Sequence, residues 1–224
     1  MKLLAIDTSS DACSVALQVG ENISEKHVVE PRAHTRILVP TIDELLRGAG
    51  IELAELDALV LGNGPGSFVG MRIGASVAQG ICYGAGLRIV PVSSLAAIAA
   101  EAIETHGADR VLVAQDARMH EVYLGKFHRD ADGLPQAGGD EEIRGIGLFD
   151  DLDEEYVAAG GAWQKFPELL AKNRERISEV LEISVPRAKY LLRSGARELQ
   201  RGRAIVPGAL LPSYIRVKVA EIPA

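Results

Sequence analysis

The stretch from Gly62 to Gly74 reads GNGPGSFVGMRIG and follows the apolar run LDALVL. A glycine-rich turn between a strand and a helix is where backbone N–H groups can approach a phosphate. Two forms of that chemistry fail on residue type. A P-loop needs Gly-Lys followed by Ser or Thr, because the lysine meets the phosphates, and no lysine occurs from Gly62 to Gly86. A dinucleotide loop needs GxGxxG. Counted from Gly62 the third glycine falls on Ser67, and counted from Gly64 it falls on Val69. The acidic residue expected after the next strand is also missing, since that strand runs into PVSS.

Two aspartates are the other candidates. Asp7 ends an apolar strand in IDTSS, and Asp116 ends another in AQDARMH. Asp7 and Thr8 have the residue types of a phosphate loop and equally those of an Asx or Ser/Thr turn. The turn after Asp116 lacks the glycines that let backbone approach phosphate. His34 heads a helix with no nucleophile or base spaced with it, which favours a surface or capping role over catalysis. Neither HExxH, HxxxH nor a nucleophile elbow is present, which argues against peptidase chemistry. Cys13 and Cys82 have no metal or disulfide spacing, and Cys82 reads as a core thiol.

The elements that must hold these residues follow from periodicity. Strands are predicted over 2–9, 13–20 and 21–30, and a helix over 34–50 from Leu38, Ile42, Leu45 and Leu46, with Pro40 bending it or lying near its start. A buried strand over 56–64 leads into a helix over 71–86, then a strand over 87–94 and an Ala-rich helix over 94–106. From Ala108 the pattern starts again: VLVAQDARMHEVYLG has the shape of LLAIDTSSDACSVAL, an apolar strand ending in Asp, a polar turn, then an alternating strand. That points to two copies of a related unit, with the first over 1–107 and the second over 108–224, the last segment packing back on the first. The acidic run 140–155 reads as surface, and 166–173 and 186–200 as helices, the latter capped by Ser184 and stopped by Gly202.

One helix face is unusual. Gly70, Gly74 and Ala78 recur every four residues beside Ile73, Val77 and Ile81. Interior glycine costs a helix about 1 kcal/mol relative to Ala, normally offset by close approach of another backbone. That backbone belongs either to this chain or to a partner. Lys189, Arg193, Arg197 and Arg201 form a second stripe, basic on a chain of net charge −7. It reads as a contact for a nucleic acid or an acidic partner, or as a solvated helix face. The overall acidity argues against nucleic-acid binding by the whole surface. With 224 residues, 47% hydrophobic and 25% charged, and no apolar run of membrane-spanning length, the chain is expected to be soluble and cytoplasmic.

Taken together, LLAIDTSSDACSVAL, PRAHTRILVPTIDELL, GNGPGSFVGMRIG, DARMHEVYLGKF and the late PSYIRVKVA resemble the TsaB (YeaZ) family of the tRNA threonylcarbamoyladenosine pathway. The resemblance implies an actin-like ATPase (ASKHA) fold, α/β, with two related subdomains each built on a mixed sheet flanked by helices. It implies a non-catalytic subunit that pairs with the catalytic TsaD through the helices of its first half, self-associates through them when alone, and helps recruit the ATPase TsaE. On this reading Leu38, Ile42, Leu45, Gly70, Gly74, Val77, Ala78 and Ile81 lie at or just behind the partner surface. TsaD carries an HxxxH metal pair after its related glycine turn. The matching positions here are Ser94 and Ile98, so metal and ATP belong to the partners, this chain binds no cofactor strongly, and tRNA is met indirectly. Asp7, Thr8 and Asp116 would be a vestige of the nucleotide site. The alternative is a stand-alone actin-like kinase or ATPase.

Overall fold

The computed structural model describes residues 1–216. The first sheet is made by β1 (Lys2–Asp7), β2 (Ala12–Val19), β3 (Asn22–Val29), β4 (Ala58–Gly62) and β5 (Ile89–Val92) in the order β3-β2-β1-β4-β5. β1 and β2 pair antiparallel, β1 and β4 parallel. Three helices accompany these strands along the chain: α1 (His34–Ala49), α2 (Phe68–Ala85) and α3 (Ser94–His106), α3 packing across onto the other half. All three stop at a left-handed glycine, Gly50, Gly86 and Gly107, whose N–H groups take up the last carbonyls. α1 runs through Pro40 rather than starting at it.

The second sheet repeats the plan. It contains β6 (Arg110–Arg118), β7 (Glu121–Arg129), β8 (Pro135–Ala137), β9 (Glu142–Gly145), β10 (Tyr156–Ala159) and β11 (Ile177–Val180). β6 and β7 form an antiparallel hairpin as β1 and β2 do, and β10 and β11 continue in parallel beside β6 as β4 and β5 do beside β1. β8 and β9 both pair with β7, taking the place of β3. Two α/β halves with one topology are the architecture of the actin-like ATPase fold. The acidic run expected at the surface is in part structural. β9 lies within it, and Ile146, Phe149 and Leu152 anchor it in the core of the second half.

Short helices α4 (Ala162–Lys165) and α5 (Pro167–Asn173) follow β10, and α6 (Lys189–Gln200) comes last. α6 starts five residues after Ser184, with Ala188 at its cap, so the serine does not cap it. It lies on the face of the first sheet. Leu3, Ala5, Val60 and Val90 meet Tyr190, Leu191 and Leu192 there in one buried cluster. The opposite face packs Leu4, Ile6, Leu59 and Leu61 against Leu38, Ile42 and Ala78 of α1 and α2. Alternation along β1 and β4 thus feeds two cores at once, which is why both strands are continuously apolar.

α6 reaches the sheet at Gly195, where any Cβ would run into the Val60 side chain. Gly195→Leu is expected to lower unfolding free energy by about 1–3 kcal/mol, the range of overpacked cores, read from urea denaturation. An unchanged midpoint would mean that α6 does not dock this closely.

Candidate functional site

The C-terminal ends of β1 and β6 and the starts of α2 and α3 meet at a cleft of about 590 Å³ between the halves. Ser9, Gly66, Ser67, Ser94 and Ile98 line it from the first half, and Asp116, Arg118 and Lys165 from the second. A cleft of this size in an actin-like fold can hold a small ligand, so what its polar groups are doing decides the chemistry.

Asp7 does not face the cleft as a free carboxylate. Its side chain is buried, and Oδ1 accepts from the Ser9 N–H and the Ser9 hydroxyl, both at 2.8 Å. Oδ2 accepts from the Ser94 hydroxyl at 2.7 Å. Ser94 Oγ in turn accepts from the Gly64 N–H at 3.0 Å, and the Ser94 N–H donates to the Gly64 carbonyl. Burial raises the Asp7 pKa, while the three hydrogen bonds work against that rise. Gly62 passes so close that a Cβ there would overlap the carboxylate. Thr8 is likewise committed: its hydroxyl donates to the Gly70 carbonyl at 2.7 Å. Of the two readings of Asp7-Thr8, the geometry is that of the satisfied turn.

Asp116 is nearer the cleft and is also occupied. It pairs with the Lys165 ammonium at 2.5 Å and accepts the Arg118 N–H at 2.8 Å. Partial burial pushes its pKa up, but Lys165 and Arg118 outweigh it and hold the carboxyl below its ordinary value. The matching positions for a metal pair, Ser94 and Ile98, offer a hydroxyl already bonded on both sides and an apolar chain, a donor set that does not fit a metal. Among the described residues no group of three His, Cys, Asp or Glu is placed to hold one. His34 is buried rather than at the surface, and its Nε2–H reaches the Ser10 and Ala12 carbonyls at 3.0 and 3.2 Å, tying α1 to the β1–β2 turn.

The small-residue strip faces inward, behind the outer surface of α2 rather than on it. Gly70, Gly74 and Ala78 are buried, and so are Leu38, Ile42 and Leu45, all in or beside the core. A Cβ on Gly70 would overlap the Thr8 carbonyl, and one on Gly74 would lie 2.5 Å from Thr8 Oγ1. The backbone that approaches α2 is that of this chain's own β1–β2 turn. Val77 and Ile81 are half-buried at the margin of that core. A bulky residue at Gly74 therefore strikes the fold before any interface. A second strip on α2 points outward and was not read from the sequence: Ser76, Gly80 and Gly84 are exposed, and a Cβ on either glycine meets nothing within 4 Å.

The basic stripe on α6 is largely neutralised. Arg197 pairs with Asp130, both mostly buried. Arg193 donates to the Asp132 carbonyl at 2.7 Å and lies 3.9 Å from Glu104. Arg201 is 3.6 Å from Glu198, and the Lys189 ammonium sits over the Tyr190 ring. Arg193 and Arg197 fasten α6 to the body of the protein, whereas Arg201 and Lys189 make their contacts within α6.

A group that sequence reasoning missed is Glu141, which accepts from the hydroxyl of Ser93, the cap of α3. Burial pushes its carboxyl up from 4.5 to about 7. A raised carboxyl pKa adds stability below the unfolded value and loses it as pH rises through the folded one. Relative to Glu141→Gln, the native chain is expected to lose roughly 3 kcal/mol between pH 4.5 and 7.5. Parallel denaturation curves for the two proteins would count against this if their difference did not change with pH.

Comparison with known proteins agrees with this geometry. The family model "TsaD: tRNA N6-adenosine threonylcarbamoyltransferase" matches residues 24–223. The chain is 35% identical to the tRNA threonylcarbamoyladenosine biosynthesis protein TsaB of Escherichia coli, over 98% of this chain and 96% of that one. It is 34% identical to TsaB of Haemophilus influenzae, over 98% and 95%. YeaZ from Pseudomonas aeruginosa superposes with a TM-score of 0.88 at 33% identity, covering 95% of this chain and 99% of that structure. The chain therefore belongs to the TsaB (YeaZ) family of tRNA threonylcarbamoyladenosine biosynthesis proteins, on an actin-like fold.

Proposed function

We propose that this chain is a non-catalytic scaffold in the threonylcarbamoylation of the adenosine next to the anticodon, in tRNAs reading codons that begin with A. It pairs with the catalytic TsaD, helps recruit the ATPase TsaE, and self-associates when alone. ATP and metal chemistry belong to those partners, tRNA is met through them, and the assembly works in the cytoplasm. Among the described residues no helix is long and apolar enough to cross a membrane.

The observation that carries this reading is the outer face of α2. Val69 and Tyr83 are 63% and 86% exposed, and between them run Ser76, Gly80 and Gly84 with open space beside the glycines. Val39 on α1 is also exposed. Small residues let a partner helix approach closely, and apolar neighbours give it surface to bury. Val77 and Ile81, half-buried, form the floor of that face. The other six positions expected at the interface support it from beneath. Loss of free polar chemistry at Asp7 and Ser94 fits a subunit kept for its shape.

Gly80→Arg combined with Tyr83→Glu should leave the circular dichroism spectrum and melting temperature nearly unchanged, since neither side chain has close neighbours to displace. It should weaken pairing with cognate TsaD by about tenfold or more, by analogy with charge placed in an interface core, as read from mass in solution. Pairing at full strength would remove the α2 face from the interface. Calorimetry of the isolated chain with ATP and magnesium addresses the other reading. Tight stoichiometric binding would favour a stand-alone kinase or ATPase.

A further inference from the structure

The segment after α6 crosses from one half of the molecule to the other. On the first half it is held at several points. Leu210 is buried in the α1/α2 core, and Gln79 of α2 donates to the Pro207 carbonyl at 3.0 Å. Asn63 donates to the Leu211 carbonyl at 3.0 Å and accepts the Ser213 N–H at 3.3 Å. Tyr214 then lies on the start of α2. Its hydroxyl accepts from Arg72 Nε at 2.9 Å, and its ring is 5.5 Å from that of Phe68. The Arg72 guanidinium sits 3.7 Å over the Phe68 ring and 5.7 Å from the Tyr214 ring.

From the next residue the same segment belongs to the second half. Ile215 packs against the core formed by α3 and the second sheet. Arg216 donates to the Ala117 carbonyl at 3.0 Å and to Glu121 at 2.5 Å, and lines the cleft. Its two acceptors flank the β6–β7 turn, in which Arg118, Met119 and His120 all have positive φ (64°, 55° and 60°). Three successive non-glycine residues in that region are held there against their intrinsic preference, so the surroundings must over-determine the turn. Arg216 is one of the groups that does so.

We infer that Leu210–Arg216 is an interlobe latch: Tyr214 seats it on Arg72 and Phe68 of α2, and Arg216 fixes the β6–β7 turn at the far lip of the cleft. Tyr214 and Arg216 are two residues apart, so displacing the ring from α2 pulls on the guanidinium that holds the turn. The latch is a property of the single chain and stands independently of any partner on α2.

The test is hydrogen–deuterium exchange on the full chain, native and carrying Tyr214→Ala, Arg216→Ala or Glu121→Ala. Arg216→Ala and Glu121→Ala should each speed exchange at residues 117–121 by about fivefold or more, and the double variant should add little to Arg216→Ala, which already removes the pair with Glu121. Tyr214→Ala is the deciding variant, since a purely local ion pair would not respond to it. It should speed exchange at the same turn, while β1 and β6 stay protected. Should Tyr214→Ala loosen only 211–216 and the start of α2, the two ends are independent and no latch exists. No change at the turn in Arg216→Ala would equally overturn it. If Tyr214→Ala folds poorly, Tyr214→Phe removes only the hydroxyl on Arg72, and the same comparison applies with a smaller expected change.

Discussion

The buried carboxylate of Asp7 is the constraint around which the first half is arranged. A carboxylate out of water is tolerated only when its oxygens are bonded, and here the donors come from two places far apart in the chain: Ser9, two residues on, and Ser94, eighty-seven residues on. Satisfying it brings the start of α3 to the end of β1. Ser94 passes the demand on to Gly64, which fixes the turn before α2. Thr8, beside Asp7, then takes the carbonyl of Gly70 inside the first turns of α2. Three loop junctions are set by one buried carboxyl group and the hydroxyls around it.

That arrangement dictates where side chains must be missing. Gly62 leaves room for the carboxylate, Gly66 and Gly70 for the backbone of the β1–β2 turn, and Gly74 for the Thr8 hydroxyl. Loop glycines that could have bound phosphate are instead occupied by the chain's own polar turn.

Much of this was legible in the sequence, and what was not has a physical cause. Alternation and apolar runs marked β1 to β7 and α1 to α3, and the likeness of IDTSS to AQDAR marked the duplication. The four-residue spacing on α2 correctly signalled a close backbone contact. It could not say whose backbone, because Ser76–Gly80–Gly84 has the same spacing as Gly70–Gly74–Ala78 and only the direction of the sheet separates them. The inward contact is with Thr8, some sixty residues away, and no local pattern carries that distance. β9 and β11 are four residues each, too short to show a period, and get their strand character from their neighbours. The basic stripe on α6 was real as a pattern, but the remote partners of Arg193 and Arg197, Glu104 and Asp130, come from α3 and from the loop after β7.

The duplication sharpens what has become of the site. Asp7 ends β1 and Asp116 lies near the end of the equivalent β6, and in each half the carboxylate accepts the N–H two residues further on. There the equivalence ends. Asp7 is enclosed by hydroxyls and raised in pKa, whereas Asp116 is half-open, paired with Lys165, and lowered. A carboxylate that is to hold a metal or orient a phosphate must offer oxygens to the cleft. Each of these has spent them on its own fold, by burial in one case and by ion pairing in the other. Two different solutions with one outcome are what the scaffold role proposed above requires of the two strand ends.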